Sequence, residues 1–295
     1  MFQQHTGNFG RGPALWQECA NLDRPLLHFS SANGLPVASY RFFLEHFRDD
    51  FGIAGLENRG MWGPPPTSLY QSWQGYADDL IAFLEQQRGA SEGVVAIGHS
   101  IGATVSAHAA VKRPDLFRAL IMIDPATFPG RRLARLAPLI APWLTGRLNL
   151  VTGTRRRRRE WPSPEAFIEH HRQKAAYRGF STQAFDDYAN AVLERDGDGY
   201  RLRFDPEWES LNFRNISSPW QALRRITVPT LVLRGEHSYM YNAAVFNYHL
   251  NRSAAVVEHD VIRNAGHMAP QEDCAQVVTL CRNWLDNRGL LQTAR

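Results

Sequence analysis

Two textures alternate along this chain. Short, mostly apolar runs occur at residues 26–29, 51–57, 94–97, 119–123, 229–234 and 255–261. Between them lie stretches whose apolar side chains recur at helical spacing: Val37, Tyr40, Leu44 and Phe47; Trp73, Tyr76, Leu80 and Leu84; the alanine-rich 103–110; and Val277, Cys281 and Trp284. The runs at 94–97 and 119–123 carry no charge, as strands covered on both faces must, while a spacing of three or four puts the other set along one stripe of a helix. Strand and helix in alternation predict an α/β domain, a mostly parallel, doubly wound sheet with helices on both faces.

Residues 126–227 break that rhythm. They hold Arg131 and Arg132, an apolar segment at 136–144, the consecutive Arg155, Arg156, Arg157, Arg158 and Arg159, and a polar, helix-compatible stretch at 164–195, without the signature of a buried strand. The expectation is a helical cap inserted after the run at 119–123, which the family resemblance given below implies to be strand 6, dividing the core into residues 1–125 and 228–295. Such a lid would exclude water from a site beneath it. Trp143, Trp161 and Trp220 are expected mainly in the lid's own core.

The candidate chemistry begins at Gly98-His99-Ser100-Ile101-Gly102, between the strand at 94–97 and the helix at 103–110. A serine on a tight strand-to-helix turn exposes its hydroxyl above the sheet, and glycines two residues to either side permit the close packing this demands. The helix N-terminus then points unpaired N–H groups at a developing negative charge. This is a nucleophile elbow, with Ser100 as the expected nucleophile. A histidine can take and return its proton near neutral pH. Of the eleven histidines, His267 follows the last predicted strand and precedes the final helix, at the carboxyl edge of the sheet where the elbow also lies. His99 points away by strand alternation and reads as structural; His28 and His108 read as core-edge residues. The expected oxyanion donors are the backbone N–H of Ile101 and, in the loop after the strand at 26–29, that of Leu35, next to Gly34.

Asn33-Gly34-Leu35-Pro36-Val37-Ala38-Ser39-Tyr40 resembles the His-Gly-x-Pro loop of α/β-hydrolases, particularly the branch holding esterases, haloalkane dehalogenases and epoxide hydrolases, with Asn33 where His is usual. The order of loop, elbow and terminal histidine matches as well. The resemblance spans 26–125 and 228–287 and implies an α/β-hydrolase fold with Ser100, His267, Leu35 and Ile101 in the roles just given. The dehalogenase and epoxide hydrolase activities are disfavoured, because those relatives carry a carboxylate where Ser100 stands. In many members an aspartate follows the penultimate strand in a Gly-Glu-x-Asp stretch; here Gly235-Glu236-His237-Ser238 has Ser238 in its place. Another carboxylate is therefore expected to orient His267: Asp124, at the end of the run at 119–123, which resembles the acid position of the haloalkane-dehalogenase branch, with Glu236 as the alternative. Both keep the chain order serine, acid, histidine.

Composition changes this picture little. A chain of 295 residues, 44% hydrophobic and 21% charged, suits one globular catalytic domain with an insertion. Neither an apolar leader nor a run long enough to cross a membrane stands out, so a soluble, cytoplasmic protein is expected. Cys19, Cys274 and Cys281 imply no disulfide framework, and no Cys/His spacing suggests a metal. Neither a cofactor nor a nucleic-acid partner is expected. The arginine run is offset elsewhere to a net charge of +4, and recognition motifs are missing, so it reads as a solvated or internally paired face. The oligomeric state is left open. The expected function is a serine hydrolase that cleaves the carboxylic ester of a small or medium apolar acid through an acyl-enzyme. Lactonase, thioesterase, carbon–carbon hydrolase and cofactor-free haloperoxidase chemistry share the constellation, and a non-catalytic receptor or scaffold is the alternative of another class.

Overall fold

The computed structural model describes residues 2–9, 13–19, 22, 24–68, 72–87, 92–127 and 149–291. Its strands are β1 (Gln3–Asn8), β2 (Pro13–Glu18), β3 (Leu26–Ser30), β4 (Gly52–Leu56), β5 (Val94–His99), β6 (Phe117–Ile123), β7 (Glu160–Trp161), β8 (Leu193–Asp196), β9 (Gly199–Leu202), β10 (Thr230–Gly235) and β11 (Val257–Ile262). Eight of them form one sheet in the order β1-β2-β4-β3-β5-β6-β10-β11. The pairs from β4 through β11 are parallel, while β1–β2 and β2–β4 are antiparallel. All six predicted strands are present, the last shifted to Val257–Ile262. β1 and β2 were not predicted: they sit at the sheet's edge with mixed, half-exposed residues, so burial imposes no clear pattern on them.

Alternation along the inner strands divides the core between two faces. Leu27, Phe29, Val95, Ile97 and Ile121 join one apolar cluster, and Leu26, Val94, Ala96, Leu120 and Met122 the other. The helix Ile101–Lys112 is buried over nearly its whole length, which its alanines allow by letting the backbone lie close to the sheet. The single helix expected from the spacing of Val37 to Phe47 is instead a 3-10 turn Val37–Tyr40, a short helix Arg41–Leu44 and a second 3-10 turn Glu45–Phe47.

Between β6 and β10 the described residues form the helices Asn149–Arg155, Pro164–Arg172, Thr182–Val192, Pro206–Arg214 and Trp220–Leu223. Ser163, Ser181 and Asp205 cap three of them, each side chain accepting a backbone N–H of the first turn. Two expectations need correction. The insertion is not purely helical, because β7, β9 and β8 make a small antiparallel sheet. Its hairpin turns at Gly197-Asp198, where Gly197 has φ 57, a conformation that glycine adopts without steric cost. Trp220 does not share a core with Trp161: it packs with Tyr241 and stacks on His249, in the other apolar cluster. Trp161 is buried, edge-on to Phe167, in the cluster that also holds Leu27 and Phe29 of β3, whereas Arg131, Arg132, Trp143 and the segment 136–144 lie outside the described residues.

Asp187 fastens the helix Thr182–Val192 to the core. Its carboxylate accepts from the Arg41 guanidinium at 2.6 Å and from the Phe42 amide at 3.0 Å. The arginine run is largely paired within the chain. Arg157 meets the Glu209 carboxylate, Arg158 lies over the Trp161 ring, and Arg159 reaches Asp205 at 3.3 Å. Among the described residues no helix is long and apolar enough to cross a membrane.

Candidate active site

Three strand ends bring the candidate residues together at the carboxyl edge of the sheet. Ser100 follows β5 with φ 56 and ψ −118, a left-handed conformation that costs a non-glycine residue energy. Its amide donates to the Ile123 carbonyl at 3.0 Å, which holds the turn against the end of β6. The flanking glycines are required sterically. A Cβ on Gly98 would come within 2.6 Å of Ala103 backbone atoms, and one on Gly102 within 2.2 Å of the Ser30 carbonyl oxygen. These contacts press the elbow into the sheet and lift the serine hydroxyl clear of it.

His267 lies in the loop after β11. Its Nε2 is 2.9 Å from Ser100 Oγ, and its Nδ1 is 2.6 Å from Asp124 Oδ2. Ser100, His267 and Asp124 are 6%, 5% and 0% exposed, so the whole chain of hydrogen bonds is shielded from solvent. An ionised Asp124 fixes the tautomer: Nδ1–H donates to the carboxylate, leaving Nε2 to accept the serine proton. Asp124 has φ 39 and is held from three further directions. Its amide donates to Leu233 O at 2.7 Å, its Oδ1 accepts from the Gly235 amide at 3.0 Å, and its Oδ2 accepts from Ser238 Oγ at 2.6 Å.

Glu236, the alternative acid, is not brought to His267. Its carboxylate accepts from the Asn264 amide at 2.9 Å and faces Arg263. Those partners hold its pKa below the usual glutamate value, the amide hydrogen bond contributing most. It stabilises the turn before His267 rather than the imidazole.

Of the expected oxyanion donors, Ile101 opens the helix Ile101–Lys112, so its amide has no acceptor within that helix. Leu35 is the last residue of a turn in which Gly34 takes φ 77, and its amide donates to Ala32 O at 3.2 Å. That bond is at the long end of the range, and the amide is shared with the turn.

His99 is buried and structural in a way that alternation alone did not reveal. Its Nε2 lies 2.8 Å from the His267 carbonyl oxygen and its Nδ1 2.7 Å from Tyr40 Oη, while Tyr40 Oη also accepts from the Ala32 amide at 3.3 Å. The carbonyl requires Nε2–H, so Tyr40 donates to Nδ1. Burial pushes the His99 pKa down to about 3, which keeps the ring neutral. One uncharged relay thus ties the loop after β3, the elbow and the His267 backbone. His28 is fully buried and likewise pushed down to about 3 by desolvation, and His108 bonds Ser217 at 3.1 Å.

The family model of the alpha/beta hydrolases matches residues 26–280. The chain belongs to that family. A probable esterase of Oryza sativa subsp. japonica is 31% identical over 95 residues, 31% of this chain and 34% of that protein. The karrikin insensitive 2 receptor CA of Petunia hybrida is 30% identical over a stretch of the same length. The chain thus spans about a third of the length of the curated relatives it matches. Solved structures align over far more. E-2-(acetamidomethylene)succinate hydrolase has a TM-score of 0.80 at 21% identity, covering 97% of this chain and 100% of that one. A thermophilic esterase from Thermogutta terrifontis has a TM-score of 0.70 at 18% identity, covering 99% and 100%. At these identities the structures attest the α/β-hydrolase fold.

Proposed function

We propose that this chain is a serine hydrolase of carboxylic esters, and the observation that carries the reading is the buried hydrogen-bonded series from Ser100 through His267 to Asp124. Ser100 Oγ attacks the ester carbonyl carbon as its proton passes to His267 Nε2. Asp124 keeps the ring oriented and stabilises the imidazolium that results. The carbonyl oxygen gains negative charge against the amides of Ile101 and Leu35. Collapse of this intermediate expels the alcohol, which takes the proton from His267, and leaves an acyl-serine. Water then attacks the acyl-serine with His267 again as base, and release of the acid restores Ser100.

Residues 126–227 are read as the lid over this site. The substrate reading is the ester of a small or medium apolar acid, supported by the buried apolar side chains of Leu35 and Met268 beside the proposed oxyanion and base positions. Lactones and thioesters undergo the same acyl transfer. The deciding experiment combines a fluorophosphonate probe with p-nitrophenyl esters of increasing chain length. Ser100 should be labelled, and Ser100→Ala should lose both labelling and turnover. Labelling that survives in that variant would remove Ser100 from the mechanism.

The similarity to the petunia receptor favours one further reading, in which ligand binding rather than turnover is the output. A receptor would bind its ligand equally well with Ser100→Ala and show no multiple turnover on any ester.

A further inference from the structure

Asn33 stands where the resembling loops carry histidine, and both ends of its carboxamide are taken up by one helix of the insertion. Asn33 Oδ1 accepts from Asn212 Nδ2 at 2.8 Å, and Asn33 Nδ2 donates to the Glu209 carbonyl at 2.9 Å, both on the helix Pro206–Arg214. Asn212 is fully buried, and its own Oδ1 accepts from Tyr76 Oη at 2.7 Å, which ties the pair to the helix Trp73–Glu85 of the core. The Glu209 side chain bears on the next residue of the loop: a Cβ on Gly34 would come within 2.9 Å of Glu209 Cδ. Glu209 is in turn held by Arg157, whose Nη2 donates to Tyr188 Oη at 3.0 Å and lies 3.5 Å from His171 Nε2. His171 Nδ1–H is committed to Phe167 O at 2.8 Å, so its Nε2 accepts. Arg157 therefore gathers the helices Pro164–Arg172, Thr182–Val192 and Pro206–Arg214 behind the carboxylate that rests on Gly34.

A buried ion pair of this kind adds little net stability, because desolvating both charges offsets their attraction; what it supplies is a fixed geometry. Here the geometry is that of the Gly34–Leu35 peptide. Its N–H donates to Ala32 O at 3.2 Å, the long end of the hydrogen-bond range, so on the serine hydrolase reading the rotation of this peptide sets how far the N–H turns from that acceptor toward the carbonyl attacked by Ser100. We propose that Asn33, with Asn212, Glu209 and Arg157 behind it, is a positioning device through which the insertion sets the oxyanion-donating angle of the Leu35 amide. The proposal rests on the serine hydrolase reading. It makes the arginine run, through Arg157, part of the support of the site, and it assigns the departure from histidine at position 33 to this tie.

The test compares Asn33→Ala and Asn212→Leu with the unaltered protein. Asn212→Leu keeps the branched heavy-atom skeleton while removing the hydrogen-bonding atoms, and it lies outside the loop, so it reports on the tie without altering the loop's own sequence. The readouts are ester kinetics, thermal melting, and affinity for an aryl trifluoromethyl ketone followed by fluorine NMR, since its adduct with Ser100 presents an oxyanion to the same amides. Both variants should lower kcat by about 10- to 100-fold, less than outright loss of a donor. KM should move by less than roughly 3-fold, and ketone affinity should fall in step with kcat. The proposal is overturned if either folded variant keeps normal kcat and ketone affinity, or if the loss falls on KM alone. If the unaltered protein forms no ketone adduct and takes no fluorophosphonate at Ser100, the hydrolase reading itself fails and the proposal with it. Adduct formation in the unaltered protein with unchanged variants sinks the positioning role alone.

Discussion

Ser238 donates its hydroxyl to Asp124 Oδ2 at 2.6 Å, the same oxygen that meets His267 Nδ1 at 2.6 Å. The residue that replaces the commoner aspartate after the penultimate strand is therefore a hydrogen-bond donor to a carboxylate arriving from the neighbouring strand β6. The two positions lie side by side because β6 and β10 are parallel neighbours, so on the serine hydrolase reading either could supply the negative charge that orients His267.

Exchange of the acid between these positions follows from that proximity. Asp124→Asn should lower kcat by roughly 10⁴, as loss of the orienting carboxylate does in serine proteases. Glu236→Gln should leave kcat within about 3-fold, since its partners are Asn264 and Arg263 and its effect is confined to the turn. In the double variant Asp124→Asn with Ser238→Asp, the charge returns through position 238, and kcat should recover by roughly 10-fold or more over Asp124→Asn. Steady-state ester kinetics on variants matched for stability decide the matter. A normal rate in Asp124→Asn with a large loss in Glu236→Gln would reverse the assignment.

His267 is tested separately from its acid. His267→Ala removes the side chain that bridges Ser100 Oγ and Asp124 Oδ2, and kcat should fall by roughly 10³ to 10⁶ while the melting transition is retained. Near-normal kcat in that variant would mean that another group takes the proton. His99 is a poor substitute, because both its ring nitrogens are committed to Tyr40 and to the His267 carbonyl.

Much of this site was legible in the sequence because local chemistry fixes it. A serine between Gly98 and Gly102 after an uncharged strand has few alternative structures, and the chain order of serine, acid and histidine limits where partners can lie. Ser238 was visible only as a missing carboxylate; its role as donor depends on the register of β6 against β10, which no local pattern encodes. The same holds for Asn33 and Asn212, separated by 179 residues in the chain. The small sheet of the insertion escaped notice because its strands are short and half exposed, so burial leaves no alternation to read. The helix expected across 164–195 is broken where Ser181 caps a new start.

The elbow itself makes a steric prediction. In Gly102→Ala the new Cβ would come within 2.2 Å of the Ser30 carbonyl oxygen, and backbone atoms there do not swing aside as a flexible side chain would. The helix Ile101–Lys112 must move off β3, at a cost of at least roughly 1–3 kcal/mol, with Ser100 displaced from His267. Denaturant unfolding and ester kinetics should both register the change. Unaltered stability with full activity would mean that the elbow is not held as described.

Glu57 makes the last prediction, through pH. It is buried after β4, accepting from the Val37 amide at 2.9 Å and from Gln17 at 3.2 Å. Desolvation pushes its pKa up from the usual 4.5 to about 7, outweighing the hydrogen bonds that favour the charged form. In the unfolded chain the carboxyl loses its proton near 4.5, whereas in the folded chain it keeps it until about 7. Between those values the folded state binds more protons than the unfolded one, so this group's contribution to stability falls as pH rises and is least favourable above 7. Glu57→Gln imitates the protonated acid at every pH: its amide oxygen accepts from Val37 N–H, and its amide nitrogen can donate to a reoriented Gln17. The variant's stability relative to the unaltered protein should therefore rise across the window from about 4.5 to 7 and level off above it, a total change of up to roughly 3 kcal/mol. Titrations shared by both proteins, such as those of His28 and His99, cancel in the difference. Urea unfolding at a series of pH values measures it, and a difference that stays flat from pH 4 to 8 would show that folding leaves the Glu57 pKa where it is in the unfolded chain.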